Sequence, residues 1–250
     1  MKAIDFIEKV KSGEIDLVEN TGRVLEELRK INSEYSYLNI ISDELALKQA
    51  KELKKNPKGK LIGVPLSVKD SICVKDVESS AGSRILKGYK PLFNATSVQN
   101  SINEGGIIVG KTSQDEFGFG GFSVNMGLGF KTPLNPFDKT RATGGSSGGA
   151  AGLAQKSTKT HISFGESTGG SIVTPASFCG VFGLCPTYGA VSRYGLIDYA
   201  NSLDKVGPIS KYIEDVALLL DIISKHDKRD STSLDTKRDN YSSFLDKEKG

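Results

Sequence analysis

Residues 144–171 read GGSSGGAAGLAQKSTKTHISFGESTGGS, two glycine-serine clusters separated by a small-residue run of helical character and a short strand-like HISF. Glycine lets a ligand approach main-chain N–H groups that a Cβ would shield. Serine supplies the reactive atom. In the second cluster Thr168, Gly169, Gly170 and Ser171 lead into Ile172, Val173 and Pro175, a turn running into a helix start. Unpaired N–H groups and the positive end of the dipole favour developing negative charge there. If Ser171 attacks a carbonyl, the backbone of Thr168, Gly169, Gly170 and Ser171 is a ready oxyanion hole.

A hydroxyl nucleophile needs a base. The chain holds two histidines, His161 and His226. Neither has the glycine-rich or carboxylate surroundings of a catalytic imidazole, so a Ser-His-Asp arrangement is not expected. A lysine held neutral by burial can do the same work. In GVPLSVKD, Val64, Leu66 and Val68 alternate with Pro65, Ser67 and Lys69. That alternation predicts a short strand with Lys69 on the face opposite the apolar trio, and serine-lysine pairs are a variant of the same catalytic logic.

Around this centre the pattern alternates between helix and strand. Residues 3–11 and 17–31 carry helical periodicity, 37–41 reads as a strand, and Ser42 or Asp43 caps a helix running to about Lys55. Residues 79–94 read as loop, 96–104 as helix ended by Gly105-Gly106, and IIVG as a buried strand. Residues 117–137, rich in glycine and broken by Pro133 and Pro136, are expected to form a long loop lining a cleft. VFGL reads as a short strand, 186–199 as turns, and 212–225 as an amphipathic core helix. The rhythm argues for an α/β fold with a mixed, largely parallel sheet flanked by helices. Gly105-x4-Gly110-Lys111-Thr112 fits the phosphate-loop pattern formally. Ile107, Ile108 and Val109 nevertheless occupy positions that should be open coil, and a helix rather than a strand precedes the first glycine, so no nucleotide site is expected here.

Lys+Arg of 33 against Asp+Glu of 30 leaves a scattered net charge of +3, which does not indicate a direct nucleic-acid grip. Cys73, Cys179 and Cys185 lack ligand spacing and read as free thiols in a reducing compartment. No apolar run approaches the ~20 residues of a bilayer span. The expectation is a soluble protein, cytoplasmic or in an organelle matrix, with no cofactor or metal site.

GVPLSVKD, GKTSQDEF, the GGSSGG cluster, STGGSIVTPASFCGVFGLCPTYGAVSRYGL and SLDKVGPIS occur in this order, and together they resemble the amidase-signature family. YGAVSRYGLIDYANSLDKVGPIS and HDKRDSTS are most similar to its branch of glutaminase subunits of aminoacyl-tRNA amidotransferases. The resemblance implies an N-terminal helical segment over 1–60 packing on an amidase-signature core over 61–226. Residues 227–250 would then be a polar tail or the start of a missing C-terminal half. It also implies a Ser-Ser-Lys triad of Ser171, Ser146 and Lys69, with Ser146 as relay through a cis Gly145–Ser146 bond and Ser147 as its alternative. Glutamine would be the substrate. Ammonia would pass to B-like and C-like partner subunits that use ATP and magnesium on misacylated tRNA, contacted only through the complex. Ser167, Val173, Cys185 and Val124 stand where the family commonly has Asp, Arg, Lys and Glu, implying altered substrate handling. A free-standing amidase on small carboxamides and a non-catalytic scaffold are the competing readings.

Overall fold

The computed structural model describes residues 1–236 and 240–245. Six strands, β1 (Leu38–Ile41), β2 (Pro65–Lys69), β3 (Ile107–Thr112), β4 (Ile162–Ser167), β5 (Phe182–Gly183) and β6 (Lys205–Ser210), form one sheet in the order β1-β3-β2-β4-β6-β5. The Lys69 strand β2 is parallel to both of its neighbours, β3 and β4. The remaining pairings are antiparallel. Every residue of β2, β3 and β4 is buried, as expected of a parallel centre covered on both faces.

Among the described residues, seven α-helices provide that cover: α1 (Ala3–Lys11), α2 (Leu17–Tyr35), α3 (Asp43–Lys55), α4 (Thr96–Asn103), α5 (Gly148–Lys156), α6 (Val173–Cys179) and α7 (Ile213–Ile223). Val64, Leu66, Val68, Ile162 and Phe164 pack with Phe6 of α1, Val98 of α4 and Leu219 and Ile223 of α7. On the other face Ile107 and Val109 meet Leu25 and Leu28 of α2 and Leu153 of α5. Ala150, Ala151 and Ala154 of α5 lie against Ile172, Cys179 and Ile209. The small residues after the first glycine-serine cluster thus let α5 approach the sheet on the face that carries Ser67 and Lys69. Ser67 Oγ meets Ser163 Oγ of β4 at 2.8 Å there.

One element departs from the sequence reading and a second has no counterpart in it. Helix α2 runs four residues past position 31, to Tyr35, whose ring stacks on Tyr37 with centroids 5.4 Å apart. Strand β6, KVGPIS, carries Gly207 and Pro208, residues that ordinarily argue against a strand inside a sheet. Pro208 is accommodated because its carbonyl accepts from Leu184 N–H at 3.1 Å, beyond the end of two-residue β5. Its nitrogen faces that same side and owes β4 no hydrogen.

The formal phosphate loop is a buried strand. Lys111 lies in β3, and its Nζ donates to Ser79 Oγ at 2.6 Å and to Asp70 O at 3.2 Å. Burial pushes its ammonium below the usual lysine range, with Asp70 opposing that shift. The composition change at Asp227 does not mark detachment from the core. Asp227 accepts from Thr96, from Ser192 Oγ at 2.7 Å and from Arg229, and Tyr241 N–H and Ser242 Oγ reach Asp221. The rest of the tail, residues 237–239 and 246–250, lies outside the described residues. Among the described residues no helix is long and apolar enough to cross a membrane.

Candidate active site

Lys69 ends β2, fully buried, and its Nζ extends past the strand end toward the first glycine-serine cluster. It donates to Ser146 Oγ at 2.7 Å. The Gly145–Ser146 peptide bond is cis. Ser147 Oγ does not face the lysine; it donates to Glu166 O at 3.1 Å and accepts from Glu166 N–H at 3.3 Å, tying α5 to the end of β4. It is therefore Ser146, and not Ser147, that stands against Lys69.

Ser171 follows the second cluster and immediately precedes Ile172, the N-cap of α6. Its carbonyl accepts from Ser147 N–H at 3.2 Å, which sets the second cluster beside the cis bond of the first. Ser171 is half-buried, and its Oγ makes no hydrogen bond among the described residues. The expected oxyanion groups divide. Gly170 N–H donates to Ser167 Oγ at 3.2 Å and is therefore engaged, because serine at 167 presents an acceptor to the turn. Gly169 is exposed, with open space where a Cβ would stand.

The loop over 117–137 closes directly on this cluster. Gly145 N–H donates to Gly121 O at 2.9 Å, and Gly148 N–H to Ser123 Oγ at 3.1 Å. Asp115 holds the loop's return by accepting from Ser123 N–H at 3.0 Å and Asn125 N–H at 2.8 Å. A Cβ on Gly118 would lie 3.7 Å from Ser146 Oγ, 3.6 Å from Glu166 Oε2 and 3.5 Å from the Tyr199 ring. Gly118 has φ +82°, and this left-handed conformation favours glycine, since the contacts of a Cβ would be ordinary ones. Phe119 packs on Tyr199 with ring centroids 4.1 Å apart, adding an aromatic rim.

Lys69 is buried as the sequence suggested, but it does not stand apart from charge. Glu166 Oε2 lies 2.7 Å from its Nζ and Glu166 O lies 3.1 Å away. With Ser146 Oγ, these give the amine three polar neighbours, filled by an ammonium that donates three times or by a neutral amine that donates twice and accepts from the Ser146 hydroxyl. The sequence reading overlooked Glu166 for a geometric reason. Alternation from Ile162 and Phe164 assigns it to the sheet face away from Ser163, which pairs with Ser67 on the Lys69 side. Its place immediately before the STGGS turn was the available signal. Buried His161 faces Ser67 Oγ at 2.9 Å, and burial, with a smaller contribution from Lys211, pushes it down to about 3.

A glycine-serine turn, a cis Gly-Ser bond and a buried lysine at the end of a parallel strand thus lie together in one place. The chain belongs to the amidase family, whose model matches residues 19–250. It is 45% identical to the glutamyl-tRNA(Gln) amidotransferase A-subunit of Methanosarcina mazei over 100% of this chain and 51% of that protein. Against the A-subunit of Natranaerobius thermophilus it is 48% identical over 83% of the chain and 43% of the relative. Among solved structures, the A-subunit from Thermotoga maritima superposes with a TM-score of 0.83 at 34% identity, over 95% of this chain and 49% of that one. The peptide amidase of Stenotrophomonas maltophilia gives 0.91 at 28% identity, over 98% and 53%. The chain spans about half the length of the curated relatives it matches.

Proposed function

We propose that this chain carries the amide-hydrolysing centre of an aminoacyl-tRNA amidotransferase, acting on glutamine through Ser171, Ser146 and Lys69. The observation that carries the reading is the 2.7 Å contact of Lys69 Nζ with Ser146 Oγ, in a cluster whose next residue hydrogen-bonds the Ser171 carbonyl. In the reaction Ser171 Oγ attacks the carboxamide carbon as its proton passes to Ser146 Oγ and the Ser146 proton passes to Lys69 Nζ. Main-chain N–H groups of the Thr168–Ser171 turn hold the oxyanion, that of Gly170 once it leaves Ser167 Oγ. The C–N bond then breaks, ammonia leaves with a returned proton, and water releases glutamate from the acyl-enzyme.

The sequence likeness to the A-subunit of glutamyl-tRNA(Gln) amidotransferase supports glutamine as donor and B-like and C-like subunits as partners. On this reading the ammonia is used on Glu-tRNA(Gln), while ATP and magnesium act on a partner chain and tRNA is engaged through the complex. The higher TM-score against the peptide amidase favours one second reading, hydrolysis of small carboxamides without partners. Glutamine hydrolysis measured alone, with companion subunits, and with companion subunits plus charged tRNA separates the two. Stimulation by both additions is expected. Activity on simple amides that ignores the additions would replace the amidotransferase reading, and failure of a glutamine analogue to add mass at Ser171 would remove both.

A further inference from the structure

Lys69 donates three hydrogen bonds, to Ser146 Oγ, Glu166 O and Glu166 Oε2. An ammonium group has three hydrogens and no lone pair. In its ammonium form Lys69 fills all three contacts as donor and cannot take a proton from Ser146 until it has released one. The backbone carbonyl of Glu166 cannot receive it, and Ser146 is the donor. That leaves the Glu166 side chain, 4% exposed and 2.7 Å away.

The far side of Glu166 has room for that proton. Thr168 Oγ1 lies 2.6 Å from Asp204 Oδ1 and 3.1 Å from Glu166 Oε1. A hydroxyl has one hydrogen, and the shorter contact claims it for Asp204. Asp204 behaves as an acceptor throughout, taking Tyr199 N–H at 2.8 Å and Ala200 N–H at 2.9 Å on its other oxygen. The Glu166–Thr168 contact therefore has a hydrogen of its own only when Glu166 carries one. The charged groups around Glu166 are Lys69 from β2, Asp204 through Thr168, and Lys205 of β6, whose Nζ donates to Thr168 O at 3.3 Å.

We propose that Glu166 is the proton acceptor behind Lys69, so that the lysine passes a proton along instead of ending the relay. The step rests on the Ser-Ser-Lys reading above and balances as three transfers: Ser171 Oγ–H to Ser146, Ser146 Oγ–H to Lys69 Nζ, and one Lys69 N–H to Glu166 Oε2. Lysine ends as it began, the carboxylate becomes a carboxylic acid, and a half-turn of that carboxyl gives its hydrogen to Thr168 Oγ1. The return of the proton to the departing amine reverses the path. Glu166 touches no substrate; it acts through Lys69.

Fluorophosphonate labelling of Ser171 against pH, in wild type, Glu166→Gln and Lys69→Ala, tests this. Glutamine keeps the shape and an acceptor but cannot take the proton. Glu166→Gln is expected to label roughly a hundredfold more slowly at pH 7 and to approach the wild-type rate as the solution becomes alkaline enough to strip the lysine itself. Labelling of Glu166→Gln at the wild-type rate, or slow labelling with an unshifted pH profile, overturns the proposal while leaving the relay standing. Wild-type labelling at Ser171 that survives Lys69→Ala, or no wild-type labelling, overturns the relay and the proposal together. A measurement on wild type alone guards against a variant that does not fold. The ¹⁵N resonance of Lys69 Nζ at pH 7 is expected in the ammonium range, and a neutral-amine signal would show that no acceptor behind it is needed.

Discussion

Lys69 Nζ and Ser146 Oγ, 77 positions apart in sequence, meet at 2.7 Å with both residues fully buried. Ser147, one position on, turns instead to the main chain of Glu166. The two neighbouring serines should therefore fail differently. Lys69→Ala and Ser146→Ala are each expected to slow Ser171 labelling roughly a thousandfold or more. Ser147→Ala should lose about 1 kcal/mol of stability and still label. Equal loss of labelling in the two serine variants would contradict the assignment.

Two buried groups with displaced titrations should oppose each other in mild acid. His161, held down to about 3 by burial, stays neutral in the folded state while the unfolded chain takes up a proton below about 6.5. Its effect is full stability above that pH and loss as pH falls toward 3. Asp215, pushed up to about 6 by burial despite the hydrogen bonds from Ala3 N–H and Ser210 Oγ, has the opposite sign. The folded state keeps its proton where the unfolded state has lost it, so stability falls as pH rises from about 4 to about 6. The two slopes, each up to about 1.4 kcal/mol per pH unit, largely cancel between pH 4 and 6. Denaturant titrations of His161→Gln should show stability falling with rising pH there relative to wild type, and Asp215→Asn should show it rising. Parallel curves for all three proteins would refute both assignments.

Gly152 offers a test of packing against propensity. It lies inside α5, where alanine is ordinarily better than glycine by about 1 kcal/mol. A Cβ there would fall 2.2 Å from Cε1 of buried Tyr37. That ring stacks on Tyr35, and its hydroxyl donates to Leu134 O at 2.7 Å, so it has little freedom to yield. Overpacking of this kind costs about 1–3 kcal/mol. Gly152→Ala should lower the melting temperature; an increase would mean that the ring relocates without penalty.

The thiols should separate by burial. Cys179 is pushed up to about 12 by burial, and its Sγ donates to Thr143 O at 3.4 Å. Cys73 is likewise raised, chiefly by burial, while Cys185 is half-buried. Alkylation of native protein at pH 8 should modify Cys185 first and reach Cys73 and Cys179 only after unfolding. Native-state adducts on Cys179, read by peptide mass spectrometry, would contradict its place in the core.

What the sequence determined by itself follows from local chemistry. The alternation around Lys69 fixes a strand and assigns the lysine a face. The branched trio before Lys111 turns a nominal phosphate loop into β3, and the small residues after Ser147 specify a helix able to lie close to a sheet. The resemblance added the triad residues and the cis bond. What only the tertiary structure decided depends on groups that meet across long separations or beyond strand ends. Strand β6 exists because its proline faces a two-residue neighbour that asks for no hydrogen. Gly170 N–H turns to Ser167 because of the shape of one turn. Glu166, inside β4 and paired with Val206 of β6, is placed by alternation on the far side of the sheet, yet its carboxylate reaches Lys69 beyond the last β2–β4 pair, Val68 with Phe164. A pattern of two can assign a side chain a face within its strand, but it carries no information about what that side chain meets past the end of a neighbouring strand, and here that is the buried amine.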